Sequence, residues 1–230
     1  MNSLDLYANI EDLLGLDEAK EVLNSYYFDT LSHHTFDSII DIGCGKGEFL
    51  AEIKDNFEPQ RVLGVDISDR MVEESRSRGV EAKNIDICEI KEKFDVVTAI
   101  FDMLNYLDKS ELKIFLGCVE DILEDDGLFL LDINSLDGFE EVAVGSFIVD
   151  DDSRFLTIDS DFDGEVYSSD FTLFIKDEDK FIKNKATINQ YYHSIEEIEK
   201  LSNLKLIDTQ KISLYEEVDD KILLMFKNIR

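Results

Sequence analysis

The sequence predicts an α/β fold, a doubly wound, mostly parallel seven-stranded sheet with helices on both faces and a small antiparallel β insertion after the fifth strand. Two observations lead to this prediction. Short apolar runs alternate with amphipathic helical patterns over residues 38–133, which is typical of strand–helix–strand units. Beyond residue 134, several alternating runs are separated by turn residues at 163–164 and 177–180, which is typical of antiparallel strands.

The first apolar run, residues 38–42, is followed by glycines at alternate positions. These are Gly43, Gly45 and Gly47. Glycine tolerates positive φ and lets a ligand lie against bare backbone. The N–H groups of a helix predicted over 46–56 point into the same turn. Together with Asp41, the spacing is D-x-G-x-G-x-G and differs from the G-x-G-x-x-G of dinucleotide-binding turns.

A second strand, predicted over 61–65, ends at Asp66, about 20 residues after the last glycine, where an acid is placed to bind ribose hydroxyls. Ser68 is a suitable N-cap for a helix over 69–78, and Gly79 is a suitable C-cap. The glycine turn and the acid occur in strand–turn–helix–strand order. This order predicts a nucleoside-containing cofactor.

The remaining elements continue the same rhythm. Strands are predicted over 80–85, 94–101 and 128–133, with a helix over 109–123, then a helix over 194–201 and closing strands near 204–210 and 221–229. Because the carboxyl ends of parallel strands meet at one rim of a sheet, the glycine turn is expected near Asp66, Asp86 and the Phe101-Asp102 pair.

With these elements the chain resembles the class I S-adenosylmethionine-dependent methyltransferases. The matching segments are residues 41–47, 64–71 and 84–87. The resemblance implies S-adenosylmethionine as the cofactor and S-adenosylhomocysteine as the product. It implies a Rossmann-like methyltransferase fold and covers residues 38–133 well.

The resemblance also assigns roles in binding the methionine and ribose parts of the cofactor. It implies that Gly43, Gly45 and Gly47 form the turn under the methionine part. Asp41 would organise this turn and lie near the amino group, and Asp66 would bind the ribose hydroxyls.

For the rest of the cofactor, the resemblance implies contacts at three further positions on the rim. Ile67 and Met71 would flank the adenine ring, although both also fit as core residues. Asp86 would take the adenine amino group, with the backbone N–H of Ile87 on a ring nitrogen. The backbone at Phe101 would pass the sulfonium end.

Two segments supply candidates for the acceptor site. Asn105 and Tyr106 follow the fourth strand, and Tyr191 and His193 end the insertion. We interpret His193 as a candidate base and Tyr106 as a candidate catalytic residue, with Asn105, Tyr191 and Tyr7 as candidate substrate contacts. Structural interpretations stay open: the two tyrosines Tyr7 and Tyr106 also fit helix packing, and His193 fits a polar position before a helix.

We expect a single domain over residues 1–230. Its parts would be an N-terminal helical lid over 1–37 with a break near Gly15, a cofactor-binding core over 38–133, an antiparallel cap over 134–193, and a closing segment over 194–230. The arrangement of the insertion resembles that of glycine and amino-sugar N-methyltransferases, which use an extra sheet to roof the substrate.

The net charge of −30 bears on the partner. Nucleic-acid binding depends on lysine and arginine contacts to phosphates, so the charge argues against a nucleic-acid substrate and favours a small molecule. A host adaptation for solubility explains the charge equally well. The Asn/Asp-Pro-Pro-Tyr/Phe tetrad of base N-methylases is also missing after the fourth strand.

Other features of the sequence concern location and assembly. No apolar run approaches the roughly 18 residues of a membrane helix, and the start of the chain lacks a signal-peptide pattern. The three cysteines, Cys44, Cys88 and Cys118, are scattered, so we expect reduced thiols in a cytoplasmic protein. No metal site is expected, and a monomer or a homodimer fits equally well.

The sequence therefore predicts a methyltransferase that passes a methyl group from S-adenosylmethionine, by in-line displacement, to a nitrogen or oxygen of a small molecule. Two alternatives stay open: an RNA methyltransferase, and a non-catalytic protein that only binds S-adenosylmethionine. A nucleotide-dependent oxidoreductase is disfavoured by the glycine spacing.

Overall fold

In a computed structural model, the chain is described at residue 6 and over residues 10–215 and 218–229. The strands, in chain order, are β1 (Ser38–Ile42), β2 (Arg61–Val65), β3 (Glu81–Lys83), β4 (Phe94–Ala99), β5 (Leu123–Asn134), β6 (Gly145–Asp150), β7 (Arg154–Phe162), β8 (Val166–Asp177), β9 (Lys180–Tyr191), β10 (Lys205–Ile212) and β11 (Lys221–Lys227). The α-helices are α1 (Asp17–Ser32), α2 (Glu48–Phe57), α3 (Asp69–Ser77), α4 (Lys109–Ile122) and α5 (Ile195–Leu201).

The larger sheet has seven strands in the order β10-β11-β5-β4-β1-β2-β3. β1 to β5 run parallel to one another, whereas β11 is antiparallel to both β5 and β10. The chain builds outward from β1 to β3 and then returns to place β4 on the other side of β1. Ligands of such sheets bind beyond the carboxyl ends of the strands at this reversal. The predicted mostly parallel, seven-stranded sheet is confirmed.

Helices cover both faces of this sheet because successive strand residues point to opposite sides. On one face, Leu23 of α1 belongs to the same buried cluster as Val96 of β4. On the other face, Phe115 of α4 and Ile198 of α5 belong to the cluster that contains Val97. None of the helices in the described ranges is long and apolar enough to span a membrane.

The helices α3 and α4 begin at residues that suit helix starts, whereas α2 does not. The Ser68 hydroxyl accepts a hydrogen bond from Met71 N at 3.4 Å at the start of α3. Asp108 and Glu111 form a reciprocal capping box at the start of α4. Gly47 precedes α2 in a left-handed conformation, and no side chain of the described residues caps this helix. The first N–H groups of α2 are therefore left to a ligand or to water.

The predicted antiparallel insertion is confirmed as a second sheet in the order β6-β7-β8-β9. One face of this sheet buries Leu156 and Leu173 against Leu6 and Ile10, which precede α1. The predicted N-terminal contact Tyr7 lies outside the described residues.

Two ion pairs connect the segment before α1 to the rest of the molecule. Glu11, in a 3₁₀ turn over Glu11–Leu13, places a carboxylate oxygen 2.8 Å from Lys46 Nζ, next to the glycine turn. Asp12 pairs with Arg154 of β7 at 2.6 Å. This segment thus contacts both the glycine turn and the insertion.

Two strands differ in length from their predicted bounds by more than the others. The third strand, expected over 80–85, is only Glu81–Lys83, and it is the edge strand beside β2. The fifth strand, expected over 128–133, begins at Leu123. Asp126 within it has φ 64 and donates its N–H to the Asn228 carbonyl at 2.9 Å. The residues between the predicted helix and the predicted strand therefore form a kink inside a paired strand.

The expectation of three reduced cysteines is wrong, because Cys88 and Cys118 form a disulfide. Cys88 lies in a 3₁₀ turn over Ile87–Glu89, after β3, and Cys118 lies in α4. Cys44 is free and buried. The two bonded residues are 30 positions apart and match no short motif. The crossover through β4 brings them together.

Candidate functional site

The glycine turn after β1 depends on backbone angles that only glycine adopts freely. Gly43, Gly45 and Gly47 have φ of 73°, 51° and 75°, in the left-handed region that is costly for other residues. A Cβ on Gly47 would lie 2.3 Å from Ser75 Oγ. The turn closes on β2, because Gly43 N and Cys44 N both donate to the Val65 carbonyl, at 2.8 and 3.1 Å.

Asp66, directly after β2, contacts this turn. Its Oδ2 accepts the Gly45 N–H at 2.9 Å, and its Oδ1 accepts the Ser68 N–H at 2.8 Å. Burial raises the pKa of Asp66, and these backbone donors oppose that rise. A carboxylate offers about four lone-pair sites, so two more remain for hydroxyl donors. The structure thus brings the glycine turn and the predicted ribose-binding acid into one site.

Asp41, inside β1, is completely buried beneath the turn. Thr98 Oγ1 donates to its Oδ1 at 2.6 Å, while its Oδ2 has no hydrogen-bond partner among the described residues. Burial raises the pKa of Asp41 to about 7, against the opposing effect of the Thr98 hydrogen bond. An unsatisfied buried carboxylate oxygen is costly. A cationic ligand group bound here would compensate it, which fits the amino group of the expected cofactor.

The predicted adenine contacts lie at the β3 end of the rim. Asp86 is exposed and accepts the Cys88 N–H at 2.8 Å, which starts the 3₁₀ turn. Ile87 is buried. Ile67 exposes 69% of its surface, and Met71 is half-buried. An exposed isoleucine beside the turn offers an apolar surface for a flat ring.

The turn after β4 is held by an acid that sequence reasoning missed. The Asp132 carboxylate of β5 is fully buried and accepts the N–H groups of Phe101 at 2.6 Å and Asp102 at 2.8 Å. The signal that marks it in the sequence is an acid inside the apolar run Leu128–Ile133. Two backbone donors, rather than a surface position, explain why a carboxylate is tolerated there.

Two of the predicted acceptor-site residues are joined. Asn105 is fully buried, donates from Nδ2 to the Tyr191 carbonyl at 2.8 Å, and accepts the Asn134 N–H at 2.9 Å. It therefore links the end of β9 to the end of β5. Tyr106, beside it, exposes 37% of its surface. Roles of these residues in binding an acceptor stay predictions.

His193 is 2% exposed and lies between two other partners. Its Nε2 is 2.9 Å from the Leu107 carbonyl oxygen, and its Nδ1 is 3.6 Å from a carboxylate oxygen of Glu197 in α5. These contacts attach the start of α5 to the loop before α4. A catalytic role for His193 stays a prediction.

Comparison with known proteins places this geometry in context. Residues 39–127 match a family model described as a methyltransferase domain. A protein of Geobacillus sp. (strain WCH70), provisionally named a methyltransferase, is 34% identical over 108 residues. That match covers 42% of this chain and 42% of the relative, so the similarity spans less than half the length of either protein.

Solved structures match over nearly the whole chain. A S-adenosylmethionine-dependent methyltransferase from Clostridium acetobutylicum ATCC 824 has a TM-score of 0.80 and 24% identity, and the match covers 98% of this chain and 99% of that one. An amino pentose methyltransferase from Micromonospora echinaspora, solved with S-adenosylmethionine bound, has a TM-score of 0.72 and 18% identity, with 97% and 96% covered. The predicted fold is confirmed: the chain has the fold of these S-adenosylmethionine-dependent methyltransferases, and residues 39–127 are similar to the methyltransferase domain model.

Proposed function

We propose that this protein transfers a methyl group from S-adenosylmethionine to a small-molecule acceptor. The observation that carries the proposal is the contact between Asp66 and Gly45 N, which joins a left-handed glycine turn to a ribose-binding acid. The buried, unpartnered Oδ2 of Asp41 adds a position for a cationic amino group. Both features suit the same ligand.

We assign the cofactor to the rim as follows. The glycine turn and the uncapped start of α2 would receive the methionine part, with Asp41 toward its amino group. Asp66 would accept hydrogen bonds from the ribose hydroxyls. The adenine would lie between Ile67 and Met71, with its edge on Asp86 and the backbone N–H of Ile87.

The bound cofactor supplies a methyl group that is already electrophilic. The residues of this chain then have to hold the acceptor in line with the bond that breaks and to exclude water, which together account for much of the acceleration in such reactions. Phe101, at the turn after β4, would border the reacting end. A general base is required only if the acceptor carries a proton at neutral pH.

We further propose an amine as the acceptor. Four carboxylates lie at or beneath the rim, those of Asp41, Asp66, Asp102 and Asp132. Lys221 is paired with two of them, Asp102 and Asp132. A rim with excess negative charge attracts a cationic amine and disfavours an acidic acceptor. The net charge of −30 also disfavours RNA as the substrate. The amino pentose methyltransferase with the same fold acts on an amino sugar.

Calorimetric titration with S-adenosylmethionine and S-adenosylhomocysteine tests the cofactor site. We expect about one site per chain, and in Asp66→Ala an affinity at least about tenfold lower, which is about 1.4 kcal/mol. Asp55→Ala, which removes an exposed acid from α2, is the matched control and should bind as wild type. Failure of folded wild-type protein to bind either ligand would refute the proposal.

Production of S-adenosylhomocysteine with panels of amines, hydroxy compounds and carboxylic acids tests the acceptor class. We expect turnover with amines, amino sugars included, at a rate that rises with pH as the ammonium form loses its proton. Turnover confined to the hydroxy compounds or the acids would show that the amine assignment is wrong while leaving the cofactor site intact.

A further inference from the structure

The turn after β4 has a backbone that side-chain-bearing residues seldom adopt. Phe101 and Asp102 are consecutive and have φ of 59° and 55°. Such conformations persist only where the surroundings hold them, and they concentrate at functional sites. Here the two N–H groups are held by the two carboxylate oxygens of Asp132. The shape of the turn therefore depends on the charge and orientation of Asp132.

Lys221, the first residue of β11, is the counter-ion of this arrangement. It is 2% exposed, and its Nζ lies 2.6 Å from Asp102 Oδ1 and 3.3 Å from Asp132 Oδ2. A third contact, at 2.9 Å, reaches the side-chain oxygen of Asn134. The same Nζ lies 5.3 Å from the centroid of the Phe101 ring. One buried cation thus contacts both carboxylates and both residues of the turn.

The groups around Lys221 come from several elements. Gln190 of β9 donates to Asp102 Oδ2, and Tyr27 of α1 donates to Asp132. Tyr215, which precedes β11, interacts electrostatically with Lys221 and both carboxylates, and Asp220 interacts with Tyr215. Asp41 of β1 interacts with Asp132. Burial opposes the charge of Lys221, but Asp102 and Asp132 outweigh this effect and raise its pKa. Lys221 therefore stays protonated at neutral pH.

We propose that Lys221 is a positioning residue, which bridges the carboxylates of Asp102 and Asp132 and holds them side by side, so that the turn at Phe101 keeps the shape that receives the sulfonium end of the cofactor. The inference rests on the proposed function. Without the ammonium group, two buried carboxylates face each other, and like charges at this range disfavour the doubly ionised state. Either Asp102, whose pKa burial already raises, takes up a proton or the two carboxylates move apart, and moving apart releases the N–H groups of the turn.

The test is calorimetric binding of S-adenosylhomocysteine from pH 6 to pH 9 to wild type, Lys221→Met, and Lys221→Met combined with Asp102→Asn. In Lys221→Met we expect binding weaker by at least about tenfold at pH 8.5, and closer to wild type at pH 6, where a proton replaces the lost charge. The double variant leaves one carboxylate, so its binding should recover at every pH. Lys227→Met, at the far end of the same strand, is the matched control.

Every outcome of this test either supports the inference about Lys221 or overturns it. Recovery in the double variant supports charge balance, because a direct contact between Lys221 and the ligand would not be restored by it. Should Lys221→Met not fold, the double variant decides alone: binding within about threefold of wild type supports the inference, and a loss of about tenfold or more overturns it. Wild-type binding by Lys221→Met at pH 8.5 also overturns it. Absence of binding by wild type overturns the proposed function and this inference with it.

Discussion

Tyr27 Oη donates a hydrogen bond of 2.8 Å to Asp132 Oδ1, although the two residues are 105 positions apart. Both side chains are fully buried. The same carboxylate oxygen accepts the N–H of Phe101 at 2.6 Å. Burial, reinforced by Asp132, raises the pKa of Tyr27 well above its usual value, so the hydroxyl stays a donor. α1, β5 and the turn after β4 therefore meet at one carboxylate.

Tyr27→Phe should destabilise the protein by about 1.5–3 kcal/mol, because it removes a buried hydrogen bond to a charged group. The ring and its contacts remain, so the loss is that of the hydroxyl. The free energy of unfolding from urea denaturation measures it. Tyr26→Phe, at the neighbouring half-buried position, is the control and should change stability much less. Equal effects of the two substitutions would show that the bond to Asp132 contributes nothing specific.

Asp41 should couple cofactor binding to a proton. Its pKa of about 7 in the free protein lies above the ordinary value of 3.8, so the carboxyl is largely protonated below pH 7. A cationic amino group beside it favours the ionised form. Binding of S-adenosylmethionine should therefore release a proton below pH 7, and affinity should rise from pH 5.5 to pH 7.5 and then level off.

Calorimetry in two buffers of different ionisation enthalpy counts the released proton. Asp41→Asn should bind S-adenosylmethionine more weakly and release a smaller fraction of a proton on binding. Asp55→Asn should match wild type in both respects. The same proton count in Asp41→Asn and wild type would assign the release to another group. The raised pKa also predicts that the stability contributed by this carboxyl is fully present below about pH 3.8 and is lost as pH rises through about 7.

Gly47→Ala should lower the free energy of unfolding by more than the positive φ of this position alone explains. The new Cβ would lie 2.3 Å from Ser75 Oγ and 3.1 Å from Ser75 Cα. Gly79 has a similar φ of 79° but no atom within 4 Å of an added Cβ, so Gly79→Ala isolates the angle, at about 1–2 kcal/mol. We expect Gly47→Ala to exceed this value in urea denaturation and to weaken cofactor binding. Equal losses would mean that Ser75 moves aside without cost.

The disulfide should stabilise both the fold and the adenine end of the site. Reduction, or Cys118→Ser, should lower the free energy of unfolding by about 3–4 kcal/mol for a loop of this length. Affinity for S-adenosylhomocysteine should fall as well, because the Cys88 N–H donates to the carboxylate of Asp86 and holds it in place. Cys44→Ala, which alters only the free thiol, should leave the response to reductant unchanged. A thiol count of three in unfolded, unreduced protein would contradict the bond.

The meeting of the glycine turn and Asp66 at one rim of the sheet could be predicted from the sequence, because its signals are local. The alternating glycines need positive φ within one turn, and Asp66 follows them at the length of one helix and one strand. These relations are visible within about 30 residues, the size of one strand–helix–strand unit. The second sheet was also predictable, because alternation and turn residues recur along it.

The long-range part of the site was not predictable in this way. Asp132 looks like a polar interruption of an apolar strand, and Lys221 looks like an edge lysine. The contact between Asp132 and Lys221 depends on the pairing of β11 with β5, which sets Lys221 opposite Asn134. The Cys88–Cys118 bond was missed for the same reason. Pairing between distant segments is decided by packing, and no short spacing encodes it.

The turn at Phe101 depends on Asp132. A fragment of this chain that is expected to bind the cofactor therefore has to include residue 132. The match to the methyltransferase domain model ends at residue 127, five positions before the carboxylate that holds the turn. A fragment trimmed to that boundary keeps the three glycines of the turn after β1 together with Asp41 and Asp66. It leaves Phe101 and Asp102, which have positive φ, without the carboxylate that accepts their N–H groups. Grafting the cofactor site onto another protein would therefore require β5 and the start of β11 to be included in the graft.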